Sequence, residues 1–131
     1  DGSLGMSAGE LETLARLDIP AVLIHFNNAC FGWIKALQAL HSRSRFYSVD
    51  FTAGNPCLVA EGFGLKALRA ETAEELEEAL DEAFATKGPV FLDVATESEV
   101  VELPPVATWL NAAEKLGRRQ EQPENGEKES P

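Results

Sequence analysis

The alternation of apolar runs with amphipathic helical patterns constrains the fold of this chain most strongly. Residues 21–26 (AVLIHF) and 89–95 (PVFLDVA) are apolar almost throughout, which is typical of strands buried on both faces of a parallel sheet. Residues 72–86 repeat apolar side chains at helical spacing, and Thr72 with Glu75 forms a capping motif at their start. Strands that alternate with helices predict right-handed crossovers and a parallel sheet.

The other segments fit this pattern. Residues 1–9 (DGSLGMSAG) are rich in glycine and predict a turn that leads into a helix, with Ser7 and Glu10 as its capping box. The remaining predicted elements are helices at 32–40 and 56–63, a short strand at 65–68, and a long polar loop at 41–55. We therefore expect a three-layer α/β fold: a mostly parallel sheet with helices on both faces.

The C-terminal end differs in composition from the rest of the chain. Residues 1–103 carry the apolar pattern and are predicted to form one domain, and Pro104-Pro105 marks its boundary. A C-terminal helix is predicted within 104–117, and residues 118–131 lack apolar side chains, so they are predicted to be a disordered acidic tail. The chain starts at Asp1 without an initiator methionine, which favours a part of a longer protein.

Composition narrows the classes of function. The net charge of −11 disfavours nucleic-acid binding, which needs clustered basic side chains. Neither a membrane-spanning apolar run nor a secretory signal is visible in the sequence. The two cysteines, Cys30 and Cys57, form neither a disulfide framework nor a CxxC pair. A reducing cytoplasm is the simplest interpretation.

Two short polar segments could hold a metal and a diphosphate. Asp1-Gly2-Ser3 precedes a helix, and Asn27-Asn28 directly follows a predicted strand. If the strands before these segments are neighbours, the Asp1 carboxylate and the Asn28 amide oxygen converge at one edge, and such oxygen ligands suit Mg²⁺. The backbone N–H groups of Gly2 and Ser3 would then face the phosphates. Taken alone, however, these residues are more often ordinary turn chemistry.

A longer stretch carries a family resemblance. Residues 1–28 (DGSLGMSAGELETLARLDIPAVLIHFNN) resemble the thiamine diphosphate (ThDP) motif of the acetolactate synthase and 2-oxo-acid decarboxylase family. That motif opens with Gly-Asp-Gly and closes with Asn-Asn, and here 26 residues separate Asp1 from Asn28. The segments ACFGWIKALQ, NPCLVAEGFG and GPVFLDV are similar to later parts of the family pattern. The likeness extends to about residue 96 and indicates the C-terminal, pyrophosphate-binding domain.

The resemblance implies a set of site residues and partners. Asp1, Asn28 and the backbone carbonyl of Cys30 would bind Mg²⁺. The cofactor-binding residues would be Gly2, Ser3, Asn28, Phe31, Gly32 and Trp33. The substrate would be a 2-oxo acid that is decarboxylated or carboligated, and the intact protein would be a homodimer or homotetramer formed through other domains. The glutamate that activates the cofactor lies in another domain of this family, so the chain alone is expected to be inactive and has no assigned catalytic residue.

Several alternatives stay open at this point. The chain could be a separate ThDP-binding subunit that needs a partner chain, or a degenerate module that keeps only the fold. A ThDP-dependent 2-oxo-acid oxidoreductase is disfavoured by the lack of cluster-binding cysteines. Trp33 stands where acetolactate synthases commonly carry Met, so the substrate is open, as is binding of FAD by the intact protein. His25 is interpreted as a core histidine with a satisfied backbone bond, and Arg43, Arg45 and Tyr47 as a solvated loop.

Overall fold

The structure is a computed structural model that describes residues 2–52, 54–98, 100–101, 105–115 and 117. Asp1 and the predicted tail at 118–131 lie outside these residues. Helices and strands follow one another as α1 (Gly2–Ser7), α2 (Glu10–Arg16), β1 (Val22–Asn27), α3 (Gly32–His41), α4 (Pro56–Gly62), β2 (Lys66–Ala70), α5 (Ala73–Ala85), β3 (Val90–Ala95) and α6 (Ala107–Lys115).

In the described part of the chain, the strands form one parallel sheet in the order β1-β3-β2. The central strand β3 is buried from Val90 to Val94. Its register places Phe91 beside Leu23 of β1 and Ala67 of β2. Because side chains alternate along a strand, these residues share one face, and Leu92 and Val94 point to the other.

Helices cover both faces. Leu11 of α2 and Ala60 of α4 pack with Phe91 on one face. On the other, Ala79 of α5 packs with Leu92 and Val94. The predicted three-layer α/β architecture is confirmed, and we refer to the two sides as the α2/α4 face and the α5 face.

The strand β1 differs from the prediction that it is buried on both faces. Ile24 is 44% exposed and Phe26 is 66% exposed, and both point to the α5 face. The α5 core packs on β2 and β3, through Leu68, Leu92 and their neighbours. An apolar run therefore indicated a strand correctly, but in the described residues β1 lies at the edge of the sheet, where α5 does not reach it.

The start of the chain is also different from its prediction. Residues 2–7 form the short helix α1 and not a turn. Ser7 ends α1, and its hydroxyl donates to the Ser3 carbonyl at 2.8 Å, so the predicted Ser7–Glu10 capping box is wrong. The N-cap of α2 is Gly9. By contrast, Thr72 caps α5 as predicted, because its Oγ1 accepts from the Glu75 N–H at 3.2 Å.

The segment after α3 and the helix α6 complete the described structure. Residues 42–55 carry no helix or strand wherever they are described, and a single bridge pairs Asp50 with Cys30. Helix α6 packs against α3 through Trp109 and Ala113. Among the described residues, none of the helices is both long enough and apolar enough to cross a lipid bilayer.

Candidate functional site

The start of α1 lies against the turn that follows β1. A Cβ built on Gly2 would lie 2.8 Å from Phe31 Cδ1 and 3.4 Å from Phe51 Cζ, and closer still to Phe31 Cε1. Any larger residue at this position would require the Phe31 ring to move. Ser3 lies in the first turn of α1, where backbone N–H groups have no carbonyl partner within the helix.

Two adjoining cavities lie at this junction. One has a volume of about 210 Å³ and is lined by Gly2, Ser3, Met6, Phe31, Gly32, Trp33 and Ile34. The other, of about 340 Å³, is lined by Ser3, Ile24, His25, Phe26, Asn28, Gly32, Trp33 and Thr96. Ser3, Gly32 and Trp33 line both, so the two cavities adjoin. We call them together the α1–α3 pocket.

The turn at residues 28–30 is held by the Asn28 side chain. Its Oδ1 accepts from the Cys30 backbone N–H at 3.2 Å and from the Cys30 thiol at 3.4 Å. Ala29 between them has a φ of 55°, in the left-handed region. The short side chain of Asn28 thereby fixes a turn that directs residues 30–33 across the end of α1.

Cys30 is buried, and its backbone pairs with Asp50 in an isolated antiparallel bridge. The hydrogen bonds of this bridge use its neighbours: Phe31 N–H donates to the Val49 carbonyl, and Phe51 N–H donates to the Ala29 carbonyl. The bridge itself does not use the Cys30 carbonyl. Asn28 Oδ1 and the Cys30 carbonyl are both oxygen atoms of the hard ligand type that suits Mg²⁺.

Aromatic contacts shape the walls of the pocket. The Phe31 and Phe51 rings meet edge to face with centroids 4.6 Å apart, and Trp33 and Trp109 meet in the same way at 4.6 Å. Trp33 is nonetheless 55% exposed. The helix α6 thus supports one wall of the α1–α3 pocket from behind.

Comparison with known proteins gives the family of this chain. Residues 1–94 match the family described as "Thiamine pyrophosphate enzyme, C-terminal TPP binding domain"; thiamine pyrophosphate is ThDP under another name. The chain belongs to this family. The match covers most of the chain, from the start of α1 into β3, and includes every residue of the α1–α3 pocket except Thr96.

Relatives of this ThDP-binding domain include acetolactate synthases and benzoylformate decarboxylases. A probable acetolactate synthase large subunit of Methanococcus aeolicus is 37% identical over 85% of this chain and 19% of its own length. A benzoylformate decarboxylase of Pseudomonas aeruginosa is 33% identical over 75% of this chain and 19% of its own length. Among solved structures, a benzoylformate decarboxylase of Polynucleobacter necessarius matches with a TM-score of 0.71 and 25% identity, over 81% of this chain and 19% of that one. The chain therefore spans about a fifth of the length of these proteins.

The structure brings most of the predicted site residues together. Gly2, Ser3, Asn28, Phe31, Gly32 and Trp33 all line the α1–α3 pocket, and Cys30 lies in the turn beside it. Asp1 precedes Gly2 but lies outside the described residues. The loop residues Arg43, Arg45 and Tyr47 are not among the described residues that line it.

A buried carboxylate beside this pocket was missed in the sequence. Asp93 of β3 is fully buried. Its Oδ1 lies 2.7 Å from His25 Nδ1, and its Oδ2 accepts from Arg69 Nη1 at 2.7 Å. Asn27 Nδ2 donates to the same carboxylate at 3.1 Å. His25 is thus a core histidine that bonds a carboxylate and not the backbone, so that detail of the prediction is wrong.

A signal for this network was present in the sequence. Asp93 is the one charged residue in the apolar run at 89–95, and a buried charge requires partners. His25 and Arg69 stand opposite it in the parallel register. The pKa of the Arg69 guanidinium is raised, first by its hydrogen bond to Glu71 and further by the charge of Asp93. Arg69 therefore remains a cation and balances the buried carboxylate.

Proposed function

We propose that this chain holds the diphosphate of ThDP and its Mg²⁺ in the α1–α3 pocket of a longer enzyme. That enzyme would decarboxylate or carboligate a 2-oxo acid. The observation that carries the proposal is the convergence of Gly2, Ser3, Asn28, Gly32 and Trp33 on one pocket, in a chain that belongs to a ThDP-binding family.

We further propose residues 1–103 as the binding domain, followed by a C-terminal helix within 104–117 and a disordered acidic tail at 118–131.

The metal would be held by oxygen atoms. Asn28 Oδ1 and the Cys30 carbonyl would supply two ligands, and the Asp1 carboxylate would supply a third. Two of these three donors would be neutral, so Mg²⁺ would keep a net positive charge for the diphosphate, whose binding an acidic chain would otherwise oppose. The Cys30 thiol, which bonds Asn28 Oδ1, would orient the amide and not bind the metal.

The remaining pocket residues would position and shield the cofactor. Gly2 and Ser3 would present backbone N–H groups to the phosphates, and Gly32 would let the chain pass close to them. Phe31 and Trp33 would form apolar walls that exclude water. When bound, ThDP supplies the stabilisation of the carbanion that forms as carbon dioxide leaves a 2-oxo acid.

A titration with ThDP tests the proposal. The intact protein that contains this chain should bind ThDP in the presence of Mg²⁺ and lose most of that affinity in EDTA. Asn28→Ala and Asp1→Ala should each reduce the Mg²⁺-dependent affinity by at least about tenfold, since each removes an oxygen ligand. Calorimetry measures both quantities.

The same titration separates the alternatives. A degenerate module would show no Mg²⁺-dependent binding, and unchanged affinity in both variants would contradict the assignment of the ligands. A separate binding subunit would bind ThDP but would show decarboxylase activity only after a partner chain is added. Benzoylformate and pyruvate are suitable first substrates, because the similar proteins include benzoylformate decarboxylases and acetolactate synthases.

A further inference from the structure

The residue before the proposed metal ligand Asn28 is held by both its backbone and its side chain. Asn27 is the last residue of β1, and its backbone carbonyl accepts from the Thr96 N–H at 3.0 Å. Its side chain lies on the α2/α4 face together with that of His25, because side chains two residues apart along a strand share a face. On that face it contacts Asp93, the fully buried carboxylate of the central strand β3.

The Asn27 amide connects Asp93 to the turn at residues 28–30, which we call the Asn28 turn. Its Nδ2 donates to the two oxygens of the Asp93 carboxylate at 3.1 and 3.3 Å. Its Oδ1 accepts from the Ala29 backbone N–H at 3.1 Å. A backbone N–H can only donate, so the amide oxygen must face Ala29 and the NH₂ group must face Asp93. One side chain thus joins the centre of the sheet to the turn that follows β1.

Ala29 adopts a backbone conformation that needs such support. Its φ of 55° lies in the left-handed region, where a Cβ comes too close to the following carbonyl oxygen. A backbone in this region persists only where the surrounding structure holds it. Two hydrogen bonds do so here: the Ala29 N–H donates to Asn27 Oδ1, and the Ala29 carbonyl accepts from the Phe51 N–H at 2.9 Å. The first of these is anchored to a buried group, because Asn27 also bonds Asp93.

Asn27 and Asn28 face different cavities. Asn28 lines the α1–α3 pocket. Asn27 is not among the described residues that line this pocket, and it lines instead a cavity of about 460 Å³ on the α2/α4 face, together with His25 and Arg69. An effect of Asn27 on the proposed metal site would therefore act through the Asn28 turn.

We propose that Asn27 is a positioning residue, which ties the Asn28 turn to the buried Asp93 and so holds the oxygen ligands of Mg²⁺ in place. This inference rests on the proposed function, in which Asn28 Oδ1 and the Cys30 carbonyl bind the metal. Mg²⁺ requires near-ideal octahedral geometry with ligands at about 2.0–2.1 Å, whereas Ca²⁺ accepts longer and more variable distances. Loss of the link to Asp93 should therefore weaken Mg²⁺ binding more than Ca²⁺ binding.

Calorimetric titration of the intact protein with ThDP tests this role, at one fixed concentration of Mg²⁺ and again at the same concentration of Ca²⁺. Asn27→Ala removes both hydrogen bonds of the amide and leaves the proposed ligands present. The affinity for ThDP in Mg²⁺ should fall about fivefold, since a turn-stabilising hydrogen bond is lost. The ratio of the affinity in Mg²⁺ to the affinity in Ca²⁺ should fall about threefold, because Mg²⁺ is the more demanding of the two ions.

Leu92→Ala is the matched control for a general loss of stability. It weakens the same strand β3 from the α5 face, and Leu92 is not part of the Asn27–Asp93 contact. Under conditions where this variant is folded, the affinity for ThDP and the ratio between the two ions should equal those of the wild type. The same change in Leu92→Ala as in Asn27→Ala would overturn the proposal.

A second variant keeps the test decisive if Asn27→Ala does not fold. In Asn27→Ser, the hydroxyl can still accept from the Ala29 N–H but is too short to reach Asp93. The affinity and the ratio should both fall, by less than in Asn27→Ala. Wild-type values in every folded Asn27 variant would overturn the positioning role.

Asn28→Ala, titrated in parallel, separates this inference from the proposed function. If Asn28→Ala loses Mg²⁺-dependent affinity while the Asn27 variants do not, the metal site stands and the positioning role fails. If Asn28→Ala binds ThDP like the wild type, the assignment of the ligands fails, and the role of Asn27 fails with it.

Discussion

The two faces of the sheet have different chemistry. On the α5 face, the core consists of apolar side chains such as Leu92, Val94 and Ala79. On the α2/α4 face, the same strands carry Phe91 in an apolar core but then place Asp93 and His25 at their carboxyl ends. The two faces of one sheet are thus packed differently: the α5 face is packed through apolar side chains, and the α2/α4 face combines an apolar core with buried polar groups next to a cavity that His25 lines.

Removing the buried carboxylate should have the largest effect. Asp93→Ala removes the buried carboxylate that His25, Asn27 and Arg69 all bond, so we expect a loss of about 4 kcal/mol in the free energy of unfolding. Urea unfolding measures the loss. Asp93→Asn keeps the shape and one acceptor oxygen and should cost clearly less. A loss below about 1 kcal/mol in Asp93→Ala would mean that the network does not stabilise the α2/α4 face.

A substitution at Leu92, the neighbour of Asp93 in β3, tests the α5 face. Leu92 is fully buried in the α5 core, and Leu92→Ala should cost about 3 kcal/mol through lost contacts and a cavity. Phe84 on α5 is 74% exposed, so Phe84→Ala should change stability by less than about 1 kcal/mol. Under conditions where both variants are folded, their affinity for ThDP should equal that of the wild type. A large change in this affinity would show that the α5 face also affects the cofactor site.

The start of α5 offers a smaller test on the same face. Thr72→Ala removes the hydrogen bond to the Glu75 N–H and should lower stability by about 1 kcal/mol. Ser7→Ala is the control, because the Ser7 hydroxyl bonds only a carbonyl of its own helix in the described structure. Thermal unfolding of the two variants should separate them, and equal midpoints would show that the Thr72 cap has no net effect.

The smallest expected effect concerns the thiol of Cys57 on the α2/α4 face. Burial raises the pKa of this thiol, with a further increase from Asp93. Since the thiolate is the reactive form, iodoacetamide at pH 8 should modify Cys57 more slowly in the folded protein than in urea, and the folded rate should rise as pH increases. Mass spectrometry of Cys57 and Cys30 peptides follows each thiol separately. Equal rates for Cys57 in both states would show that it is not shielded.

Local features of the fold could be predicted from the sequence because their causes are close together in the chain. Helix α5 needs only its apolar stripe and Thr72, three residues from its partner Glu75. The Asn28 turn involves Cys30, two residues away. The site residues around α1 and this turn were likewise assigned from a motif of continuous sequence.

Other features depend on contacts between distant residues. His25 and Asp93 are 68 residues apart, so their pairing depends on the register of β1 with β3. The exposure of Phe26 depends on where α5 ends across the sheet, which an apolar run does not encode. Residues 2–7 were predicted to form a turn because they contain glycines. In the structure they form a helix, and its first residue, Gly2, lies against Phe31, which is outside this segment.

The most direct test of the account is the ThDP affinity of a single alanine variant. Gly2→Ala would force a Cβ against the Phe31 ring and should weaken Mg²⁺-dependent ThDP binding by at least about tenfold. In Gly9→Ala the added Cβ meets nothing within 4 Å, and affinity should remain that of the wild type. If Gly2→Ala binds ThDP as tightly as Gly9→Ala does, the cofactor does not sit between α1 and the turn after β1.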